Sequence, residues 1–352
     1  VIPNARSTRK DFHILPLATS PARTDARPIR YVCMPGSPFT GSTLLGVLLN
    51  EHPAIASIGA ATGLIWKVDL STYACSCGKL FRACEFWRHI ESRTAALGYP
   101  VDVFQTNFWN THLRLSHRRL PNALLVRSLG SDPLNAVRDA VVDRIPAVRD
   151  AVHTAGWNTW SLASAVLERT GKQVFVDTAR DHQRPKYLMR HPLLDIKVIH
   201  LVRDPRGNAA SIMKHGGVNA RTAARQWTHY NVEAARVRRY FPQDSWMTLR
   251  YEELCADPQA VLDRVATFLG VEPARLNPDP RDSNRHIIGN PMRLKALSEI
   301  REDLSWQTHL SRRDLEAVAR IGGSASRALG YDWPQAGEHA SETARPLPTV
   351  SA

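Results

Sequence analysis

Two stretches of this sequence combine residue types that hold anions. The first is Gly36-Ser37-Pro38-Phe39-Thr40-Gly41-Ser42-Thr43, between the apolar run Tyr31-Val32-Cys33-Met34 and an apolar helical pattern over Thr43–Asn50. A turn rich in glycine and hydroxyl groups at the start of a helix can cradle phosphate with backbone N–H groups and the positive end of the helix dipole. Its two glycines and Thr43 match the nucleotide-binding pattern G-x-x-x-x-G-K-[ST], but Ser42 stands where the lysine belongs. Without that lysine a transferring γ-phosphoryl is hard to stabilise, which counts against a kinase. The second stretch is Leu201-Val202-Arg203-Asp204-Pro205-Arg206-Gly207, with Ser211 eight residues after Arg203. An arginine at a strand end and a serine two helical turns later can converge on one anion, the guanidinium gripping it bidentately and the hydroxyl adding a donor. The alternative is an Arg–Asp pair that merely caps a helix.

These junctions need strands and helices to place them. Short β-rich runs occur over 30–34, 54–58, 173–176, 197–202 and 245–249, alternating with helical patterns over 43–50, 205–216, 220–240 and 258–269. Such alternation predicts an α/β fold, a P-loop-like, mainly parallel sheet flanked by helices on both faces. Ligands of such sheets bind at the carboxyl ends of the strands, which directs attention to 36–43, 177–182, 203–211 and 250–253. A middle region over 75–170 reads as mostly helical. One large domain is expected over 29–334, with a flexible basic arm over 1–28 and a disordered tail over 335–352 that is low in large apolar residues.

The chain has 352 residues, 46 Lys and Arg against 33 Asp and Glu, and a net charge of +13. Such an excess favours an anionic partner. No long basic block, zinc-finger pattern or RNP1 pattern appears, so a small phosphorylated ligand is expected rather than nucleic acid. The absence of a long apolar run argues against an integral membrane segment, and the apolar run Phe12–Leu17 is too short and broken for a secretory signal, so a cytoplasmic protein is expected. Five cysteines, an odd number, argue against a fully paired secreted framework. Cys75, Cys77 and Cys84 cluster in CSCGKLFRACEFW and, with His89, offer four groups able to bind zinc. The first pair is separated by one residue, closer than structural zinc sites usually space it, so the expectation is no metal but a local thiol cluster or disulfide packed beside Phe86 and Trp87.

Taken together, the two junctions resemble the sulfotransferase family that uses 3′-phosphoadenosine 5′-phosphosulfate (PAPS). The first is similar to its 5′-phosphosulfate loop, typically [KR]-S-G-[ST]-T, and the second to its 3′-phosphate motif of an Arg and a Ser eight residues on. CSCGKLFRACEFW, VDTAR, LRYEELCADPQAVLDRVATFLG and HIIGNPMR also resemble stretches of bacterial members, in the right order from about residue 30 to 331. The resemblance implies a sulfonate transferred from PAPS, leaving PAP, to a hydroxyl or amine of a small-molecule, glycan or lipid acceptor. The middle region would form the acceptor pocket. It further implies that Ser37, Thr40, Gly41, Ser42 and Thr43 border the 5′-phosphate and sulfonate, that Arg203 and Ser211 hold the 3′-phosphate, and that Arg293 closes over the nucleotide. The acceptor and the oligomeric state are left open.

Two departures bear on turnover. Phe39 stands where the family's loop begins with a cation, and its ring could instead pack against the acceptor. Gly59-Ala60-Ala61 stands where many members carry a Gly-Glu whose carboxylate is the base in some relatives. Sulfuryl transfer needs a base for the acceptor hydroxyl and positive charge at the departing phosphate oxygen. The stretch Asp177-Thr178-Ala179-Arg180-Asp181-His182 offers substitutes: Arg180 as cation and His182 or Asp177 as base. His52, beside Pro53 at a helix end, reads as structural. A PAPS- or PAP-binding protein without turnover is the alternative.

Overall fold

The computed structural model describes residues 27–63, 68–105, 109–113, 131–275, 285–289, 293 and 300–332. Its framework begins at β1, Ile29–Cys33, whose branched and aromatic residues suit a pleated surface buried on both sides. The other strands are β2 (Ile55–Ser57), β3 (Val174–Asp177), β4 (Leu194–Val202) and β5 (Trp246–Arg250). They form one sheet in the order β2-β3-β1-β4-β5, and every pairing is parallel. The mainly parallel sheet expected from the sequence is therefore wholly parallel among the described residues, and each strand lies within three residues of its expected span.

The period-two alternation of strand side chains divides the core between two faces. Tyr31, Cys33, Phe175, Ile196 and Val198 point to one face, where they pack with helices α2 (Glu85–Ala96) and α4 (Pro146–Thr170) through Trp87, Ile90, Trp160 and Val166. Val32, Val174, Val176, Ile199 and Leu201 point to the other, against α1 (Ser42–Glu51) through Leu45, Leu48 and Leu49. Between α2 and α4 lies α3 (Asp132–Val142), and α5 (Arg184–Leu188) follows β3. The middle region is thus helical over much of its described length, although 97–105 and 109–113 are not. Most of the basic stretch His112–Arg119, which reads as a solvated helix face, lies outside the described residues, as do nearly all of the expected arm and the tail.

Beyond β4 come α6 (Pro205–Gly216) and α7 (Ala220–Val237), then α8 (Tyr251–Ala256), α9 (Pro258–Leu269), α10 (Trp306–His309) and α11 (Arg312–Ala328). Helix α7 stops short of its expected end, tightening into a 3-10 turn over Arg238–Tyr240 just before Phe241-Pro242. Ala209 and Ile212 of α6, Ala223 and Ala224 of α7 and Val318 of α11 form a separate small apolar cluster. No helix among the described residues is long and apolar enough to cross a membrane.

The strand order has a functional consequence. After β1 the chain leads through α1 to β2 on one side of the sheet, and β4 and β5 lie on the other side of β1. The connections leaving β1 and β4 diverge there, so a crevice opens at the carboxyl ends of these neighbouring strands. The two stretches expected to bind anions leave the sheet at this switch point.

Candidate anion-binding and transfer site

The loop between β1 and α1 is shaped by close approach. Gly36 lies so near β4 that a Cβ there would stand 3.0 Å from the Leu201 carbonyl oxygen. Gly41 caps α1 with φ of 90°, and a Cβ on it would come within 2.6 Å of the Tyr251 ring. Both positions require glycine, for space at the first and for space and backbone angle at the second. Ser37 Oγ donates to Asn208 Oδ1 at 3.0 Å, and Asn208 Nδ2 donates to the Pro38 carbonyl at 2.6 Å. Thr40 Oγ1 donates to the Ser37 carbonyl at 3.1 Å. Ser37 and Thr40 are buried, so their hydroxyls brace the loop against α6. No described residue accepts from the backbone N–H groups of Gly41, Ser42 or Thr43, which open α1. These N–H groups, with the helix dipole behind them, form the anion-attracting part of the loop.

Phe39 has a left-handed φ of 63°, unique among the described non-glycine residues. Its ring stacks on His215 of α6, with centroids 5.1 Å apart, and packs onto the α6–α7–α11 cluster. The aromatic ring expected against an acceptor is therefore engaged by α6, while its backbone faces the site: the Phe39 carbonyl accepts from Arg203 Nη1 at 3.0 Å.

That contact joins the two junctions. From the end of β4, Arg203 Nη1 also donates to Ser211 Oγ at 3.1 Å, so the arginine and the serine two turns along α6 converge as their spacing predicts. The guanidinium lies 4.6 Å from the centroid of Tyr251, the ring that also limits Gly41. Arg203 Nη2 reaches the Asp303 carbonyl at 3.2 Å and its carboxylate at 3.3 Å. Helix capping falls to Asp204 instead, whose carboxylate accepts from the Arg206 N–H at 2.7 Å and pairs with the Arg206 guanidinium. The cap and the arginine expected to bind an anion are thus separate residues, and Arg203 meets Ser211 and the Phe39 carbonyl instead.

The end of β3 distributes the remaining candidates differently from the sequence expectation. Asp177 Oδ1 accepts from the N–H groups of Ala61 and Ala179, each at 2.8 Å. Its Oδ2 accepts from Tyr31 Oη at 2.7 Å and from the Arg184 guanidinium. Both oxygens of this buried carboxylate are engaged by donors from the fold, so Asp177 is a structural anchor with no oxygen free to meet an acceptor hydroxyl, which removes it as a candidate base. Arg180 has no hydrogen bond or ion pair to a described residue, and its surroundings lower its pKa by desolvation. Such a cation is poised for an anion from outside the fold. His182 is 8% exposed, and neither ring nitrogen has a described partner. Burial holds its pKa below the ordinary 6.5, so the imidazole is neutral at neutral pH. It packs edge-on to His229 and Tyr230 of α7. His52 is structural as expected: its Nδ1 accepts from the Ala54 N–H, and Nε2 pairs with the Glu272 carbonyl at 2.9 Å.

Arg293 finds its partners outside the 36–43 loop. Its guanidinium donates to the carbonyls of Gly289 and Ala74, each at 2.8 Å, and lies over Tyr73. It sits beside the cysteine cluster, where Cys75, Cys77 and Cys84 are free thiols joined by His286 in place of the expected His89. The residues that sequence reasoning missed are Asn208, Tyr251, Asp303 and His286. Tyr251 and His286 lie within the quoted stretches LRYEELC and HIIGNPMR, but their partners are 48 to 211 residues away. Asp303 lies in a loop with no pattern to mark it.

Residues 113–275 match the model of the sulfotransferase family. The matched stretch contains Arg180, His182, Arg203 and Ser211, and begins after the 36–43 loop. No curated protein matches the chain. Among solved structures, the sulfotransferase domain of the Synechococcus PCC 7002 olefin synthase is 21% identical with a TM-score of 0.48, over 90% of this chain and 99% of that one. A sulfotransferase from Mycobacterium avium is 14% identical with a TM-score of 0.43, over 87% of this chain and 78% of its own.

Proposed function

We propose that this chain, whose residues 113–275 match the model of the sulfotransferase family, moves a sulfonate from PAPS to a hydroxyl, or less readily an amine, of a small-molecule, glycan or lipid acceptor. The observation that carries this reading is the convergence of Arg203, Ser211 and the Phe39 carbonyl, within 3.1 Å, across two neighbouring strand ends. A donor with a 5′-phosphosulfate and a separate 3′-phosphate needs two anion cradles held at a fixed separation. The N–H groups that open α1 supply one, and Arg203 with Ser211 the other.

In the transfer the acceptor oxygen attacks sulfur as the bond from sulfur to the bridging phosphate oxygen breaks, and that electron pair stays on PAP. The acceptor proton goes to a neutral base, for which His182 is the candidate. Arg180 neutralises the charge that grows on the leaving oxygen. Incubation with labelled PAPS and a panel of alcohols, phenols, amines and glycans should give a labelled product. A protein that binds PAP but transfers nothing to any of them would support the second reading, a binding homologue without turnover. That reading is favoured by the apolar ring of Phe39 and by Ala60 and Ala61 at the positions of the usual cation and base.

The pH profile tests the assignment of the base. A base acts only when unprotonated, and desolvation lowers the His182 pKa. Transfer should therefore be flat through neutral pH and fall only on the acid side of 6.5, the ordinary histidine value. His182→Gln should remove this acid limb along with most of the rate. A limb that survives in His182→Gln would assign the base elsewhere.

A further inference from the structure

We propose that Cys75, Cys77, Cys84 and His286 form a closed tetrahedral zinc site that ties the 75–84 loop to the 285–289 segment. Their ligand atoms all lie within 4.8 Å of one another. Cys77 Sγ is 3.7 Å from Cys84 Sγ, and His286 Nδ1 is 3.4 Å from Cys75 Sγ and 3.3 Å from Cys84 Sγ. A tetrahedral zinc with Zn–S of about 2.3 Å and Zn–N of about 2.0 Å separates its sulfurs by roughly 3.8 Å and sulfur from nitrogen by roughly 3.5 Å. These three spacings match a tetrahedral ion, and the remaining pairs lie within 4.8 Å, close enough for four ligands to close around one ion. They are far from a disulfide, whose sulfurs lie about 2.0 Å apart. Three thiolates and an imidazole, all soft or borderline donors in tetrahedral array, select zinc over hard cations.

The surroundings are those of a built site. Trp87 Nε1 donates to Cys75 Sγ at 3.4 Å, an outer contact that fixes the position of this sulfur. The Phe86 ring stacks on the His286 imidazole at 4.2 Å with an interplanar angle of 5°, fixing its plane. Ser76 Oγ donates to the Arg285 carbonyl and accepts from the Ile287 N–H, each at 2.8 Å, so the residues flanking His286 are clasped by the loop that carries the cysteines. Arg285 pairs with Glu51 at the end of α1, and the Ile288 N–H donates to the Ile58 carbonyl at 2.8 Å. The segment bearing His286 thus runs beside the outer strand β2, and the ion would lock this cover in place.

With four protein ligands no position is open for substrate, so the role is structural. Arg293 depends on the same tie, since its two acceptors, the Ala74 and Gly289 carbonyls, lie on the two segments that the ion would join. The short Cys75–Cys77 spacing hides the site in the sequence, because the fourth ligand is 202 residues beyond Cys84.

The test is elemental analysis of the purified full chain after dialysis into metal-free buffer. One zinc per chain is expected for the wild type and for Cys255→Ser, and none for Cys75→Ser or Cys84→Ser. Should those variants fail to fold, two wild-type measurements decide. Titration with an organomercurial should release one zinc to a metallochromic dye, and cobalt exchanged into the site should give the strong visible bands of a tetrahedral thiolate complex. A wild-type protein that holds no zinc after incubation with the metal, whether its thiols are free or Cys77 and Cys84 are found disulfide-linked by mass spectrometry, overturns the proposal. So does cobalt in an octahedral, weakly coloured state. Neither result bears on sulfonate transfer, so this site and the proposed activity stand or fall separately.

Discussion

Arg203→Ala is expected to weaken PAP binding about ten- to a hundredfold, the worth of a charge-assisted bidentate contact of about 1.5–3 kcal/mol. AMP, which lacks the 3′-phosphate, should bind the wild type and the variant almost equally. This difference separates loss of a phosphate contact from general damage, because Arg203 also holds the Phe39 carbonyl and lies on Tyr251. A collapsed loop would weaken both nucleotides. Asp303 sharpens the comparison: its carboxylate is 3.3 Å from the same guanidinium, so an incoming phosphate exchanges one anion for another. Calorimetry with PAP and AMP on wild type, Arg203→Ala and Arg203→Lys supplies the test. Lysine keeps the charge but loses the planar fork, so an intermediate affinity is expected. Equal PAP affinity in wild type and Arg203→Ala would remove the 3′-phosphate cradle from the proposed function.

The parallel sheet was legible because its strands are buried on both faces and read as short continuous apolar runs, such as YVCM and KVIHLV, each ending in polar residues. Helices α6 and α9 were legible from their ends: each has proline in the first turn and glycine at the close, and Gly217 and Gly270 adopt the left-handed conformation at their C-caps. The middle region was harder, because its helices bury large residues such as Trp157 and Trp160 without a clean amphipathic stripe and are linked by non-helical chain.

Within the site, local geometry was legible and long-range pairing was not. Ser211 lies about two turns along the helix that starts just after Arg203, so the Arg203–Ser211 contact follows from the strand-to-helix junction and the helical period. Asp177 shows the limit. A carboxylate at a strand end invites a catalytic reading, but its partners Tyr31, Ala61 and Arg184 come from three separate elements, and together they make it an anchor. His286 shows the same limit in reverse, since a spacing rule applied within one loop could not include a ligand from the far end of the domain. Patterns within one element reveal which groups can meet, whereas tertiary partners decide which groups remain available for chemistry.

Availability is what distinguishes Arg180. If it is the cation at the leaving oxygen, Arg180→Ala should lower kcat about a hundred- to a thousandfold while PAP affinity stays nearly unchanged. Charge on the bridging oxygen develops only as the bond to sulfur breaks, so the contact strengthens in the transition state and contributes little to the ground state. Desolvation lowers the Arg180 pKa, only partly offset by Tyr230, and no carboxylate among the described residues pairs with it, the situation in which an anionic transition state gains most from it. Arg180→Lys should recover part of the rate, because a point charge remains. Restoring the usual loop cation through Phe39→Arg should not substitute for Arg180. That side chain stacks on His215 and packs onto the α6–α7–α11 cluster, so a guanidinium there would meet apolar surface and reduce stability. Single-turnover rates for the three variants, read beside their PAP affinities and thermal midpoints, distinguish the outcomes. Wild-type transfer by Arg180→Ala, or a rate gain in Phe39→Arg, would assign the leaving-group charge to the loop and not to the end of β3.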